Sequence, residues 1–306
     1  MNEILVAGHK SPDTDSIGSA IACAYLYTET GRAAKAVRAG EINKETRFAL
    51  RSFGLTEPPL CTEFAAGQQV VLVDHNERKQ SIDGVRDADV VALIDHHRLG
   101  DFETEKPIFI SVEPVGCTAT ILFRMFERAQ VHIPQEIAGM MLSAIISDTL
   151  LFRSPTCTER DKLAVKALAK LADVDYEEYG MNMLKAGADV SDIPVEQWVQ
   201  TDKKEFMAGE QTFSVAQLSV MDTAPILARR DELHRLMEAD RSAHGYLASF
   251  LMVTDILQEE TELLFVGGID AWVARAFATE PRDGSVHLPG VMSRKKQIVP
   301  PLLGAV

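Results

Sequence analysis

Ile4-Leu5-Val6-Ala7-Gly8-His9-Lys10-Ser11-Pro12-Asp13-Thr14-Asp15-Ser16-Ile17 decides the fold. Its first four residues are continuously apolar, as expected of a parallel strand covered on both faces. A polar loop follows. Beyond it, Ile17, Ala20, Ile21, Ala24 and Tyr25 form one stripe of a helix predicted over 15–30. Gly31 stands where such a helix stops. Strand, loop and helix make the repeating unit of an open α/β sheet, in which ligands collect at the carboxyl ends of strands.

The same pattern recurs outward from this stretch. Apolar runs at 70–73, 90–94 and 108–112 read as further strands, and 35–38 as a weaker one. Segments 118–128, 134–147, 158–171 and 176–185 read as helices, with Thr158 and Asp161 as a start signal for the third. Alternation of this kind predicts a doubly wound, mainly parallel α/β domain over 1–187. A polar stretch containing Asp189, Ser191, Asp192 and Pro194 reads as a linker over 188–194. The pattern then changes. Strands are expected at 213–218, 246–254 and 263–266, and helices at 222–239 and 271–279, giving a smaller α/β domain over 195–306.

The chain has 306 residues and is 46% hydrophobic, enough to fill two cores. A net charge of −14 and a pI near 5.0 argue against nucleic acid or an anionic membrane as partner. The same charge repels an anionic substrate unless metals or a local basic cluster reverse the field. Cys23, Cys61, Cys117 and Cys157 form no CxxC pair, so neither a zinc ribbon nor a thioredoxin-like site is indicated. Free thiols in a reducing cytoplasm are expected. The start has no basic segment followed by an apolar one, and no run approaches the ~20 apolar residues of a membrane span. A soluble cytoplasmic protein is the expectation.

Four motifs carry the chemistry. The opening loop offers His9, Asp13 and Asp15. The run 70–73 ends in Asp74-His75-Asn76, and 90–94 ends in Asp95-His96-His97. Of the two adjacent imidazoles, one can bind metal and the other can face substrate, while Asp95 can orient a ligand from behind. Asp148 closes an apolar helix, where a bare carboxylate is costly to bury and a cation would satisfy it. His9, Asp13, Asp15, Asp74, His96 and Asp148 exceed what one open catalytic ion needs. They suit two ions ~3.5–4 Å apart, as in two-metal hydrolytic centres. Mixed N/O ligation fits Mn²⁺, Co²⁺, Mg²⁺ or Zn²⁺.

A cationic motif, Ser293-Arg294-Lys295-Lys296-Gln297, lies between apolar stretches near the other end. Arginine offers a planar fork for phosphate oxygens and lysine a point charge. Read as extended chain, alternate residues face opposite ways, so the three cations cannot all share one target. Lys203 and Lys204 form a second, weaker cationic candidate.

With these motifs assembled, the chain resembles the family II inorganic pyrophosphatases of the DHH phosphoesterase superfamily. GHKSPDTDS, VDHNE, IDHH and SDT resemble the four superfamily motifs, and SRKKQ is similar to the C-terminal signature of the pyrophosphatase branch. Over the whole length, the resemblance implies hydrolysis of inorganic pyrophosphate to two orthophosphates by a two-metal-activated water, without a covalent intermediate. It implies two Mn²⁺ or Co²⁺ per subunit, with Mg²⁺ arriving with substrate. His9 and Asp13 would hold one ion, and Asp15, His96 and Asp148 the other, with Asp74 bridging. His97, Lys204, Arg294 and Lys295 would contact diphosphate, in an active site in the cleft between domains. His97 could also hydrogen-bond or protonate the bridging oxygen. A homodimer through the N-terminal sheet is also implied. Only about twenty residues separate Asp74 from Asp95, leaving no room for the regulatory insertion some members carry. A DHH phosphodiesterase acting on short oligonucleotides or cyclic dinucleotides and a non-catalytic metal-binding protein are the alternative readings.

Overall fold

Continuously apolar runs become parallel strands here because both of their faces are covered, one by helices and the other by irregular segments that carry Phe64, Ile82 and Phe102. The computed structural model describes residues 3–190 and 192–305; Met1, Asn2, Val306 and Ser191 of the predicted linker lie outside the described residues. In chain order the first part comprises β1 (Ile4–Ala7), α1 (Thr14–Glu29), β2 (Ala34–Val37), α2 (Lys44–Ser52), β3 (Gln69–Val73), β4 (Asp89–Asp95), β5 (Phe109–Val112), α3 (Thr118–Ala129), α4 (Gln135–Thr149), α5 (Glu159–Ala172) and α6 (Tyr176–Ala188). The sheet order is β2-β1-β3-β4-β5, with every pair parallel.

Alternation along β3 divides the core. Val71 and Val73 pack with the cluster that includes Ile17, Cys23 and Met140, while Val70 and Leu72 pack with Val37, Phe64 and Ile82 on the other face. Each such side chain, fully removed from water, stabilises the fold by roughly 1.5–3 kcal/mol. Helix α1 packs chiefly on α4. A Cβ at Gly18 would meet the Met140 carbonyl at 2.9 Å and Ala144 Cβ at 3.3 Å, so the two helices approach closely. Glu45 joins Thr14 at the start of one to Ser147 near the end of the other, so they run antiparallel. That packing sets the first turn of α1 beside the last turn of α4.

The structure differs from expectation in several places. Helix α2 was not predicted, although Asn43 is a good N-cap whose side chain accepts from Thr46 N at 2.8 Å. Helix α4 continues to Thr149, so Asp148 lies inside its last turn. Helix α6 runs on to Ala188.

The chain divides into two units between Gly187 and Ala188. The second contains α7 (Val195–Trp198), β6 (Lys204–Ala208), β7 (Gln211–Val220), α8 (Ala224–Leu227), α9 (Arg230–His244), β8 (Ala248–Asp255), β9 (Glu260–Val266), α10 (Asp270–Phe277), β10 (Ser285–Pro289), a π-turn (Arg294–Ile298) and α11 (Val299–Gly304). Its sheet order is β10-β9-β8-β7-β6, and only β7 and β8 pair in parallel. Phe213, Phe250 and Met252 pack on one face, Leu218, Leu251 and Val253 on the other. The helix expected over 222–239 is two helices, α8 and α9. The cationic motif is a π-turn rather than extended chain, because the Ser293 side chain caps Lys296 N and Gln297 Oε1 accepts from both Met292 N and Ser293 N. No helix among the described residues is long and apolar enough to cross a membrane.

Candidate metal centre

The four motifs of the first unit meet at one end of its sheet. Strand β1 ends at Ala7 and delivers the His9 loop. Gly8 is required there, since a Cβ would fall 1.9 Å from Ser16 Oγ. Asp13 caps α1 by accepting from Ser16 N at 2.9 Å, and Asp15 follows in the first turn. Strand β3 delivers Asp74, and β4 delivers Asp95, His96 and His97. Helix α4 supplies Asp148.

The ligand atoms fall into three linked groups, each within 4.8 Å: His9, Asp13 and Asp74; Asp15, His96 and Asp148; and Asp74, His96 and His97. Asp74 belongs to two of these groups, and His96 links it to the third. His9 Nε2 stands 3.5 Å from Asp13 Oδ2 and 3.3 Å from Asp74 Oδ2. His96 Nε2 stands 3.4 Å from Asp74 Oδ1, 3.7 Å from Asp148 Oδ2 and 3.9 Å from Asp15 Oδ2. Each imidazole is oriented through its other nitrogen: His9 Nδ1–H to the Lys10 carbonyl at 2.8 Å, His96 Nδ1–H to that of Val115 at 3.1 Å. Donation from Nδ1 leaves the Nε2 lone pair for a cation.

Asp15 is held from three sides. Ser19 Oγ donates to it at 2.7 Å, Thr118 N at 2.8 Å and Ala119 N at 3.2 Å. The last two are free N–H groups at the start of α3, whose dipole favours an anion there. Burial, then the charge of Asp15, pushes the Asp74 carboxyl up to about 7 and raises Asp148 well above the carboxylate range. Burial alone would lower the histidines, but Asp13 and Asp74 outweigh it at His9 and push it up to about 11. At His96, Asp74 and Asp15 do the same, to about 9. Asp74 Oδ2 is buried and takes no hydrogen bond. Crowded carboxylates, an orphaned buried oxygen and imidazoles that want positive charge are the conditions a divalent cation relieves. The residues fit such an ion, and the donor set is hard oxygen plus nitrogen.

Behind the ligands lies a supporting layer. His97 donates from Nδ1 at 2.9 Å and from its backbone N at 3.0 Å to Asp95 Oδ1, and the Asp95 hydrogen bond raises its pKa. Asp95 Oδ2 accepts from Asn76 Nδ2 at 2.5 Å. Asn76 also donates to the Arg98 carbonyl and accepts from Gly100 N. Three members of this layer escaped the sequence reading. Asn76 lay inside a quoted motif without an assigned role. Glu45, on the unpredicted α2, accepts from Thr14 Oγ1 at 2.8 Å and from Ser147 Oγ, so it joins the first and fourth motifs. Asp161, read only as a helix-start residue, also accepts from Gly116 N at 2.9 Å and Thr120 Oγ1 at 2.6 Å.

The cationic residues belong to the second unit. Arg294 is buried, and its guanidinium donates to the Asp202 carboxylate at 2.8 Å, the Asp202 carbonyl and the Val215 carbonyl. Lys204 is exposed, with Nζ 3.8 Å from Asp202 Oδ1. Lys295 and Lys296 are exposed. Lys203 is set apart: both Asp240 carboxylate oxygens hold its Nζ at 2.9 Å.

Comparison with known proteins gives this arrangement its place. The DHH family N-terminal domain matches residues 3–145 and the DHHA2 domain residues 181–305. A Bacillus subtilis protein named "Manganese-dependent inorganic pyrophosphatase" is 46% identical, covering 100% of this chain and 99% of its own length. The chain belongs to the family II inorganic pyrophosphatases. An Enterococcus faecalis relative named "Probable manganese-dependent inorganic pyrophosphatase" is also 46% identical, over 99% of this chain and 98% of its own. A crystal structure from Methanococcus jannaschii, described as a "putative family II inorganic pyrophosphatase", superposes with a TM-score of 0.73 at 39% identity over 99% of both chains. An exopolyphosphatase-related protein from Bacteroides fragilis shares the fold, with a TM-score of 0.52 at 16% identity. The pyrophosphatase family thus accounts for both units and their order.

Proposed function

We propose that this chain is a manganese-dependent hydrolase that converts inorganic pyrophosphate to two orthophosphates. One observation carries the reading: His9, Asp13, Asp15, Asp74, His96 and Asp148 converge in groups linked to one another through Asp74 and His96. His9 and Asp13 would hold one ion and Asp15, His96 and Asp148 the other, with Asp74 placed to serve both. When bound, a pair of such ions lowers the pKa of a water toward ~7 and neutralises phosphoryl oxygens.

The chain's own residues do the rest. Asp95 fixes the His97 imidazole through Nδ1, leaving Nε2 to hydrogen-bond the diphosphate or protonate its bridging oxygen. Arg294, Lys204 and Lys295 neutralise the phosphate that leaves. No serine or cysteine is assigned as a nucleophile, in keeping with direct attack by water. Mn²⁺ is the working ion and Co²⁺ a substitute, while Mg²⁺ enters with the substrate. Four free cysteines fit a cytoplasmic setting. The edge strand β5, with Phe109 and Ile110 half exposed, offers the N-terminal sheet as a homodimer seam.

The test is orthophosphate release from pyrophosphate, beside a linear and a cyclic dinucleotide, with Mn²⁺, Co²⁺ or Mg²⁺ added after chelation. Pyrophosphate turnover with no dinucleotide cleavage is expected. Dinucleotide cleavage with inert pyrophosphate would make the protein a phosphodiesterase. Inertness toward all three would make it a binding protein.

A further inference from the structure

Arg294 is assigned above to diphosphate, yet it is almost wholly buried and already bound. The pattern of its hydrogen bonds resolves the tension. A guanidinium carries five N–H donors on two usable edges, Nη1 with Nη2 and Nε with Nη2. Nη1 donates to the Asp202 carbonyl and to the Val215 carbonyl at 3.2 Å, and Nη2 donates to Asp202 Oδ2 at 2.8 Å. Asp202 therefore grips the Nη1–Nη2 edge with two of its own oxygens. Nε–H and the second N–H of Nη2 take no partner among the described residues. With Asp202 bonded across Nη1 and Nη2, these two donors share the Nε–Nη2 edge, where two parallel donors match two oxygens of a phosphate.

The grip is built into the backbone. Asp202 has φ +43°, a left-handed conformation that few residues besides glycine, asparagine and aspartate adopt readily. Its turn is tied to β7, where Gln217 N donates to the Thr201 carbonyl at 3.0 Å. Val215, on the same strand, takes the third guanidinium bond. Asp202 Oδ1 also stands 3.8 Å from Lys204 Nζ, so one carboxylate faces both cations.

We propose that Asp202 is the positioning residue of the diphosphate clamp: it fixes the Arg294 guanidinium by one edge and so presents the other edge to substrate phosphate. The inference builds on the reading of Arg294 as a diphosphate contact. Asp202→Ala removes the carboxylate bond to Nη2 and leaves only Nη1 held, by the two backbone carbonyls, so the guanidinium plane can pivot. Losing a hydrogen bond to a charged group, it lowers kcat/KM for pyrophosphate by about tenfold, most of it as a higher KM, with Mn²⁺ content unchanged. Asp202→Asn keeps the acceptor and tolerates the left-handed turn, so it restores KM to within about threefold of the native value. It also keeps the test open if the alanine variant fails to fold, which thermal unfolding reports.

The deciding measurement is a double-mutant cycle with Arg294→Ala. If Asp202 acts through Arg294, Asp202→Ala costs little more once Arg294 is gone. Equal losses with and without Arg294 would overturn the proposal, as would a lower KM in Asp202→Ala, which would mean that Asp202 competes with substrate. An Arg294→Ala enzyme with native kcat/KM would instead remove the diphosphate role of Arg294, and the positioning role with it.

Discussion

Asp74 closes β3 at φ +60°, so its backbone restricts what can replace it. Asparagine fits that conformation and the shape of the side chain but brings no charge. Asp74→Asn should therefore fold normally, lose Mn²⁺ occupancy by metal analysis, and lose more turnover than the roughly 10–100-fold that supporting residues cost. Asn76 is such a supporting residue. Asn76→Ala releases the Asp95 carboxylate that holds His97, so kcat should fall about 10–100-fold with metal content intact. Metal loss in that variant would place Asn76 with the ligands instead. The contrast shows what was legible. That His9, Asp13, Asp15, Asp74, His96 and Asp148 cluster could be expected because strand ends and helix turns put such residues at one end of the sheet. Glu45 could not, since its partner Ser147 is 102 residues away and only the folded chain brings them together.

The connection after β5 is held by one carboxylate from a distant helix. Asp161 accepts from Gly116 N, Thr120 Oγ1, Thr158 N and Thr158 Oγ1, linking the start of α5 to the segment that leads into α3. That segment in turn offers the Val115 carbonyl to His96 and two N–H groups to Asp15. Asp161→Ala leaves buried donors without acceptors and should lower stability by about 1–3 kcal/mol in urea unfolding. It should also weaken Mn²⁺ binding, because both ligands lose their support; unchanged Mn²⁺ affinity would confine Asp161 to a capping role. The capping pair was readable at the level of the helix, whereas its reach to Gly116 depends on tertiary packing. The π-turn at 294–298 was misread for a related reason. Three cations between apolar runs look extended unless the Gln297 amide, which closes the turn, is given its partners.

Over the whole chain, the parallel sheet of the first unit was legible from apolar runs alone, because helices on one face and packed irregular segments on the other leave little alternation to confuse them. The mixed sheet of the second unit was less so: β6 and β10 are short edge strands without a strong apolar run. Metal dependence divides along the same line, since every assigned ligand lies in 1–187. Mn²⁺ at 100-fold above its Kd should stabilise that unit by roughly 2.7 kcal/mol for each ion bound. Calorimetry should show its transition rise with Mn²⁺ and fall back with chelator, while a transition assigned to 188–306 stays put. A metal-dependent shift in an isolated 188–306 fragment, should it fold, would contradict this. Asp15 finally links assembly to activity. Cys117 provides no side-chain cap for α3, and Asp15 from another helix accepts its first N–H groups instead. A residue proposed to hold a metal ion is thus also a fastener of the hydrophobic core. Grafting this ligand set onto another parallel sheet would transfer the chemistry only if the recipient also had a helix whose beginning lacked a cap.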